Sequence, residues 1–552
     1  QQSNHHVREI YEKEVFPNKE SNGNVPTNLA VLNLAFYPSE RGPYNFDVEG
    51  GGISAGIAAD GSLLDPASRW GGIMREIEST DFTATNIEYI EFWLMDPFID
   101  PDEGGPEQPL QNGGDLYFNL GDISEDILRD GRKAFENGLP ISATVTDVDT
   151  TIWGLVPTLQ AMTNSFDNNP DSRSYQDVGY DGLRTVDEVG FYQTPYLDRI
   201  VALYGVGSQA YISAIDDPSN DNYHYYRGTD YDNSQTSILD RYKKYNGVDG
   251  NSPTADQSPE SYPTTANSLP DVEDINADNT LSEEERYYQY RVQLTPSKMV
   301  QGENYITDIY TAPVNLKNGT AASVKWYQFR IPISNPDKVV GQIQDFTSIR
   351  FMRLFMKNFS EEAILRFATL ELIRNEWRKY GNELLAPGEY IPTTGSGTSF
   401  DVSRVNIEEN GKRSPIPYVL PPGIDREINY ASTNYQQLNE QSLVLKVCNL
   451  QDGDARAVYK TTEFDFRRYK NLRLFIHAEQ AYDDKPIADG ELHFFIRLGT
   501  DFTSNYYEYD IPLHLTPWYT TDPDAIWPTN NEIALELQKL LTTKQARDIL
   551  TR

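Results

Sequence analysis

Three stretches of the chain alternate apolar and polar residues behind the same opening. They are DFTATNIEYIEFWLMDPF (Asp81–Phe98), DFTSIRFMRLFMKNF (Asp345–Phe359) and DFRRYKNLRLFIHAEQ (Asp465–Gln480). Each begins Asp-Phe, passes a short polar turn and then alternates at period two, the pattern of a half-buried strand. In the first, Ile87, Tyr89 and Glu91 are expected on one face and Glu88, Ile90 and Phe92 on the other. A second element occurs twice, as GGDLYFNLGD from Gly113 and GELHFFIRLGTD from Gly490. A third occurs three times, as YYQYRVQL from Tyr287, WYQFRIPI from Trp326 and YYEYDIPL from Tyr506. Aromatic and β-branched residues in such runs pack across neighbouring strands. Pro332 and Pro512 hold the same place in their copies, which suggests an edge or a strand end.

The spacing between elements predicts the architecture. Asp501 is followed almost at once by Tyr506, whereas Asp122 and Tyr287 are far apart. One β plan used twice, with a large insertion in the first copy, accounts for both, since loops at the ends of sheets accept long insertions. The expected fold is mainly β: two jelly-roll-like β-sandwich units, the first carrying a partly helical insertion. The expected organisation is an N-terminal lead-in (1–27), a first unit (28–392) with its insertion at 122–285, a Gly/Ser/Thr linker from Thr393 to Ser399, and a second unit (400–552) whose remainder is expected beyond Arg552. Within the insertion, ISEDILRDGRKAFENG predicts a helix with Ser124 as its N-cap and Gly138 as its stop. TTIWGLVPTLQAMTNSF and YLDRIVALYG predict further short helices, and the Pro/Ser/Asn-rich stretch after Tyr245 a long surface loop. AILRFATLELIRNEWRKYG reads as a long closing strand, Asn410-Gly411 as a hairpin turn, and the C-terminal NEIALELQKLLTTKQARDIL as helix.

Composition narrows the function classes. The chain has 552 residues and a net charge of −36, from 83 acidic and 47 basic residues. Such a surface repels phosphate backbones and anionic membrane faces, so nucleic acid is not an expected partner. The single cysteine, Cys448, lies in an apolar run and reads as a small buried hydrophobe. No stretch approaches the ~20 apolar residues of a membrane helix. The chain opens on Gln1 without an apolar leader, and the repeats favour a piece of a longer polypeptide.

One motif carries candidate chemistry. Residues 274–285 read DINADNTLSEEE. Against a twelve-residue calcium loop, Asp274, Asn276 and Asp278 take positions 1, 3 and 5, and Thr280 offers its carbonyl at 7. Ser282 sits at 9 and Glu285 at 12. Ca²⁺ takes six to eight hard oxygens, which this loop can wind around one point. Asn279 replaces the usual glycine at position 6, and asparagine tolerates the left-handed turn. The expected role is structural: tying the end of the insertion to the strand from Tyr287.

Catalytic constellations are weak and no enzyme is expected. There is no Gly-x-Ser-x-Gly elbow, zinc-binding helix or phosphate loop. His5 and His6 are expected to be disordered, His224 lies among tyrosines, and His477, His493 and His514 are expected in strands. Trp70, Trp93, Trp153 and Trp326 could form a sugar-stacking platform, although core packing is the better reading for Trp93 and Trp326. A carbohydrate-binding surface module is the alternative function.

Longer strings carry a resemblance. LNLAFYPSERGPYNFD (Leu32–Asp47), GDISEDILRDGRKAFENGLP (Gly121–Pro140), PDVEDINADNTLSEEERYYQYRV (Pro270–Val292), SIRFMRLFMKNF, LPPGIDRE and NEQSLVLKV resemble the SprA (Sov) family of Bacteroidetes gliding and secretion proteins. The resemblance implies a place in the outer-membrane translocon of the type IX secretion system, a very large β-barrel that passes folded proteins. It implies as partners the rest of the barrel, a PorV-type outer-membrane protein, a plug protein, periplasmic accessory proteins and secreted cargo with a C-terminal sorting domain. The charged residues within IRFMRLFM and WYQFRIPI suit soluble sandwiches inserted in the barrel better than a lipid-facing wall. They are expected to cap, gate or contact the plug, and the extracellular face is favoured. No catalytic residue is implied.

Overall fold

A computed structural model describes all residues except 21–26, 51–53, 141–146, 159–164, 246–249, 263–268, 271–272, 385–389, 394–396, 431–435, 464, 482–485 and 551–552. The protein is mainly β, with 28% strand and 16% helix, in antiparallel sheets with no closed barrel among the described residues. It divides into two units. The first comprises Gln1–Glu9, Val31–Thr307 and Val314–Leu372, and the second Ile10–Ala30, Asp308–Pro313 and Ile373–Arg552.

The first twelve strands run in chain order as β1 (Leu32–Phe36), β2 (Trp70–Glu76), β3 (Ile87–Met95), β4 (Gly114–Asp122), the small hairpin β5 and β6 (Val148–Thr150, Leu155–Pro157), β7 (Arg286–Leu294), β8 (Ile306–Asn315), β9 (Ala321–Pro332), β10 (Lys338–Val340), β11 (Phe351–Lys357) and β12 (Ala363–Arg374). Two five-stranded sheets result, ordered β1-β12-β3-β9-β8 and β10-β7-β4-β11-β2. Phe92 of the first sheet lies 5.4 Å from Phe118 of the second, and the same ring stacks on Phe329 at 4.7 Å and meets Phe367 at 5.5 Å. These rings, with Trp93, Trp326, Tyr290 and Phe351, are fully buried.

All three Asp-Phe segments fold alike. Asp81 caps a helical turn through the Ala84 amide and leads into β3. Asp345 accepts the Thr347 amide ahead of β11. The third opens on the turn Phe466–Arg468 and leads into a strand, Asn471–Leu474. The expected alternation fails at β3, where Tyr89 through Met95 are all buried. β3 lies between β12 and β9 in the interior of its sheet, and protein covers both of its faces.

The second unit contributes β13 (Arg378–Lys379), β14 (Ser399–Asn406), β15 (Gln441–Cys448), β16 (Val458–Tyr459), β17 (Asn471–Leu474), β18 (His493–Gly499), β19 (Tyr506–Pro512) and β20 (Ile533–Glu536). They pair two by two: β13 with β16, β14 with β15, β17 with β20, and β18 with β19. Ile416, Tyr418, Ile526 and Trp527 form a core here, and the Trp527 indole donates to the Val419 carbonyl at 2.9 Å.

One hairpin recurs residue for residue, although the described strands of the second unit form only two-stranded pairs and no counterpart of the two five-stranded sheets. In the first copy Gly121 pairs with Tyr287, Leu120 with Tyr288, Asn119 with Gln289 and Phe118 with Tyr290. In the second, Gly499 pairs with Tyr506, Leu498 with Tyr507, Arg497 with Glu508 and Ile496 with Tyr509. A Cβ on Gly121 would stand 2.3 Å from the Arg286 carbonyl oxygen, and one on Gly499 2.3 Å from that of Asn505, so both copies need glycine where the hairpin closes. The second hairpin closes through the short turn 500–505, while the first opens at the Asp122–Arg286 pair to admit residues 123–285.

Several local expectations are corrected. Residues 123–140 form no helix: the Glu125 amide donates to the Ser282 carbonyl and the Asn137 amide to Glu273, so their backbone bonds go to distant partners. The stretch from Thr150 gives β5 and β6 rather than a helix up to residue 158, and its residues 159–164 lie outside the described residues. Asn410-Gly411 ends a short helix, Ile407–Asn410, and β14 pairs instead with the distant β15. The C-terminal stretch begins as β20 before the helix Leu537–Leu550. Cys448 is half-buried. YLDRIVALYG does form a helix, Asp198–Tyr204, and β12 is the long strand expected. Of the linker, residues 394–396 lie outside the described residues.

Candidate metal centre

The loop 274–285 ends where the insertion rejoins the sheet, immediately before β7. Its first half is closed by its own amides. The buried Asp274 carboxylate accepts from the amides of Asp278 at 3.1 Å and Asn279 at 2.9 Å. Asn276 Oδ1 accepts the Asp278 amide, and Asn276 Nδ2 donates to Asp278 Oδ2 at 2.9 Å. Asp278 Oδ1 accepts from the Thr280 amide at 2.8 Å and hydroxyl at 2.5 Å, and these bonds hold its carboxyl below the usual range. Asn279 has φ of +61°, the left-handed conformation that the template's glycine supplies.

The second half goes elsewhere. Glu285 meets the Arg353 guanidinium at 3.1 and 3.3 Å. Ser282 engages Glu125 through its backbone: its amide donates to Glu125 Oε2 at 2.9 Å, while Glu125 Oε1 accepts the Ile275 amide at 2.8 Å. Arg350 reaches Asp278 at 3.6 Å, and Arg286 pairs with Asp122 at 2.6 Å. The fold therefore gathers Asp274, Asn276, Asp278 and Thr280 and leaves Glu285 on an arginine. Glu125, Arg350 and Arg353 were missed by the sequence reading. The two arginines did leave a signal, being charges inside an otherwise apolar repeat; Glu125 left none in its own neighbourhood.

Beside the loop lies a carboxyl pair, Glu136 and Glu273, exposed by only 2% and 4%. Glu273 Oε2 accepts the Asn137 amide at 2.9 Å. Burial first, then its acidic neighbours, pushes Glu136 up to about 7, and burial with the Glu136 contact raises Glu273 well above its usual value. A carboxyl whose folded-state pKa is raised binds its proton more tightly in the folded protein. Its stabilisation is thus complete at low pH and is lost as pH rises from ~4.3 through the folded value. Glu136→Gln is expected to reduce this slope to the share that Glu273 carries, and to raise stability at pH 8 by on the order of 2 kcal/mol. Urea unfolding at pH 5 and pH 8 reads the difference; equal slopes for both proteins would rule the assignment out.

The remaining candidates are placed plainly. Trp93, Trp153 and Trp326 are buried, and of these four candidates only Trp70 is open, 69% exposed on an edge strand, so these four form no sugar platform. His5 and His6 are not disordered: both are buried, His5 against Glu103 at 2.9 Å and His6 against Glu107 at 3.2 Å. Arg366 holds this segment by donating to the carbonyls of His5 and Arg8. His224 pairs with Asp230. His493 lies in β18 on Asp510, whereas His477 and His514 fall outside the strands and pair with Glu479 and Asp489.

Among the described residues, no helix is long and apolar enough to cross a membrane. No curated protein matches the chain. Residues 195–552 match the SprA_N family, described as motility related/secretion protein. Of the strings that carried the resemblance, Pro270–Val292, the β11 segment, LPPGIDRE and NEQSLVLKV fall inside this match, while Leu32–Asp47 and Gly121–Pro140 precede it. With most of its length matched, the chain belongs to the SprA_N family of motility- and secretion-related proteins, a family of the cell envelope.

Proposed function

We propose that this chain is a non-catalytic, partner-binding region of the type IX secretion translocon in the outer membrane, placed on its extracellular face as cap, gate or plug contact. The family match over residues 195–552 carries this reading. The build of the first unit supports a sandwich inserted in the barrel over a piece of its wall. Strands β3 and β4 have both faces covered by protein, and Phe92 meets Phe118 across the two sheets. A lipid-facing strand instead leaves one continuous apolar face open. Its partners in this role are the remaining barrel, a PorV-type protein, the plug, periplasmic accessory proteins and the sorted cargo. Deleting the gene that encodes the chain should leave proteins with the C-terminal sorting domain inside the cells, at least tenfold depleted from the medium by mass spectrometry. Normal release would overturn the reading.

The 274–285 loop is proposed to hold structural Ca²⁺. The amide-capped Asp274 and the left-handed Asn279 support it, and Glu285 would have to exchange Arg353 for the ion. Limited proteolysis between residues 250 and 290 is expected to accelerate in EGTA and in the Asp278→Ala/Glu285→Ala protein. Cleavage indifferent to EGTA would end this assignment.

A further inference from the structure

A second acidic cluster lies in the helical part of the insertion, apart from the 274–285 loop. Helix Thr185–Phe191 carries Glu188, and the turn after helix Gln209–Asp216 carries Asp217 and Asp221. One carboxylate oxygen from each of the three lies within 4.8 Å of the others. Glu188 is 0% exposed, Asp221 3% and Asp217 9%, and a fourth carboxylate, Asp181, is 3% exposed. Surface solvation therefore does not explain the cluster.

The hydrogen bonds fall short of what four carboxylates need. Glu188 Oε2 accepts the Ser219 amide at 3.1 Å. The Ser219 hydroxyl faces both Glu188 Oε2 and Asp221 Oδ1, and it has one proton to give. Asp217 Oδ1 accepts the Asp221 amide at 3.3 Å. Glu188 Oε1 and Asp181 Oδ2 are buried with no hydrogen-bond partner. Asp181 Oδ1 accepts the Leu183 amide at 2.8 Å, and the Tyr192 hydroxyl beside Asp181 has a single proton to divide between that carboxylate and the Trp153 carbonyl at 2.5 Å. Among the described residues, one cation touches the group: Lys244, 3.0 Å from Asp217 Oδ2. Arg41 comes close but donates to the Asp217 and Pro218 carbonyls, not to a carboxylate.

Several buried like charges with one ammonium at the rim are unstable unless protons or a cation neutralise them. The spacing suits a cation, because Ca²⁺–oxygen bonds of about 2.3–2.6 Å place ligand oxygens on a sphere of matching width. We propose that Glu188, Asp217 and Asp221 bind a divalent cation of the Ca²⁺ class, with Asp181 facing the site, and that the ion locks the two helices of the insertion together. The apolar cluster of Tyr192, Tyr196, Leu197, Ile200, Ala210 and Ala214 joins the same segments, so ion and core would act on one element.

The test uses the whole chain carrying Asp278→Ala and Glu285→Ala, which removes the other candidate loop. Ca²⁺ is expected to raise its melting temperature by a few degrees at ~100-fold excess over Kd. Tb³⁺ is expected to bind there with luminescence sensitised by the buried Tyr192. Adding Asp221→Asn is expected to abolish both responses while raising the melting temperature in EGTA, because one of the repelling charges is gone. Should that variant fail to fold, Glu188→Gln takes its place, and the response of the parent protein to Ca²⁺ is decisive by itself. A parent protein indifferent to Ca²⁺ and Tb³⁺, or an unaltered response in the neutralised variant, would mean that protons alone hold the cluster.

Discussion

Phe92→Ala is expected to destabilise the first unit by about 3–5 kcal/mol, among the largest effects of any single truncation in the chain. The ring is fully buried at the centre of β3, and three other rings surround it. Phe329 stacks on it at 4.7 Å and Phe367 meets it at 5.5 Å, both from its own sheet, while Phe118 approaches at 5.4 Å from the other. Truncation removes the transfer free energy of the ring and leaves a cavity that two five-stranded sheets cannot easily collapse. Aromatic pairing adds about 0.5–1.5 kcal/mol per contact to that loss. Trp70→Ala is the control, since Trp70 is 69% exposed on edge strand β2 and should change stability by less than about 0.5 kcal/mol. Urea unfolding of the three proteins makes the comparison. A Phe92→Ala cost below about 1 kcal/mol would mean that the two sheets do not depend on this ring for their packing.

How far the sequence could be read depended on where each signal was stored. Register was stored locally, as recurring dipeptides and aromatic runs. The likeness of Gly121–Tyr287 to Gly499–Tyr506 is therefore visible in the sequence itself, and so is the point at which 123–285 enters. Residues 123–140 show the opposite case. Their apolar spacing suits a helix, but Glu125 and Asn137 bond partners in the 273–282 segment, and no local pattern records that competition. Of the candidate metal loop, the half that folds on itself was legible in its spacing. The half that meets Arg353 was not, because that arginine arrives from another strand of the sheet. The cluster at Glu188 was invisible for the same reason: its members come from segments that are distant in sequence, and an acidic chain offers too many carboxylates to choose among.

Arg330→Met is expected to cost about 3–5 kcal/mol, while Glu91→Leu/Arg330→Met together should recover most of it. The two residues are direct cross-strand partners in the β3–β9 register. Arg330 Nε donates to Glu91 Oε2 at 2.5 Å, and the side chains are only 10% and 5% exposed. Two desolvated ions gain little over an apolar pair of similar volume, because their attraction mostly offsets the hydration they gave up. Removing one partner is different: it leaves Glu91 buried on a strand covered on both faces with the guanidinium that balanced its charge gone. The sign of the double-mutant coupling tells the two costs apart. If the double variant is far more stable than the sum of the single losses, the penalty of each single change comes from the stranded charge. If the losses simply add, the guanidinium holds the sheet through its packing over Tyr89, whose ring centre lies 6.0 Å away, and the ion pair is incidental to stability.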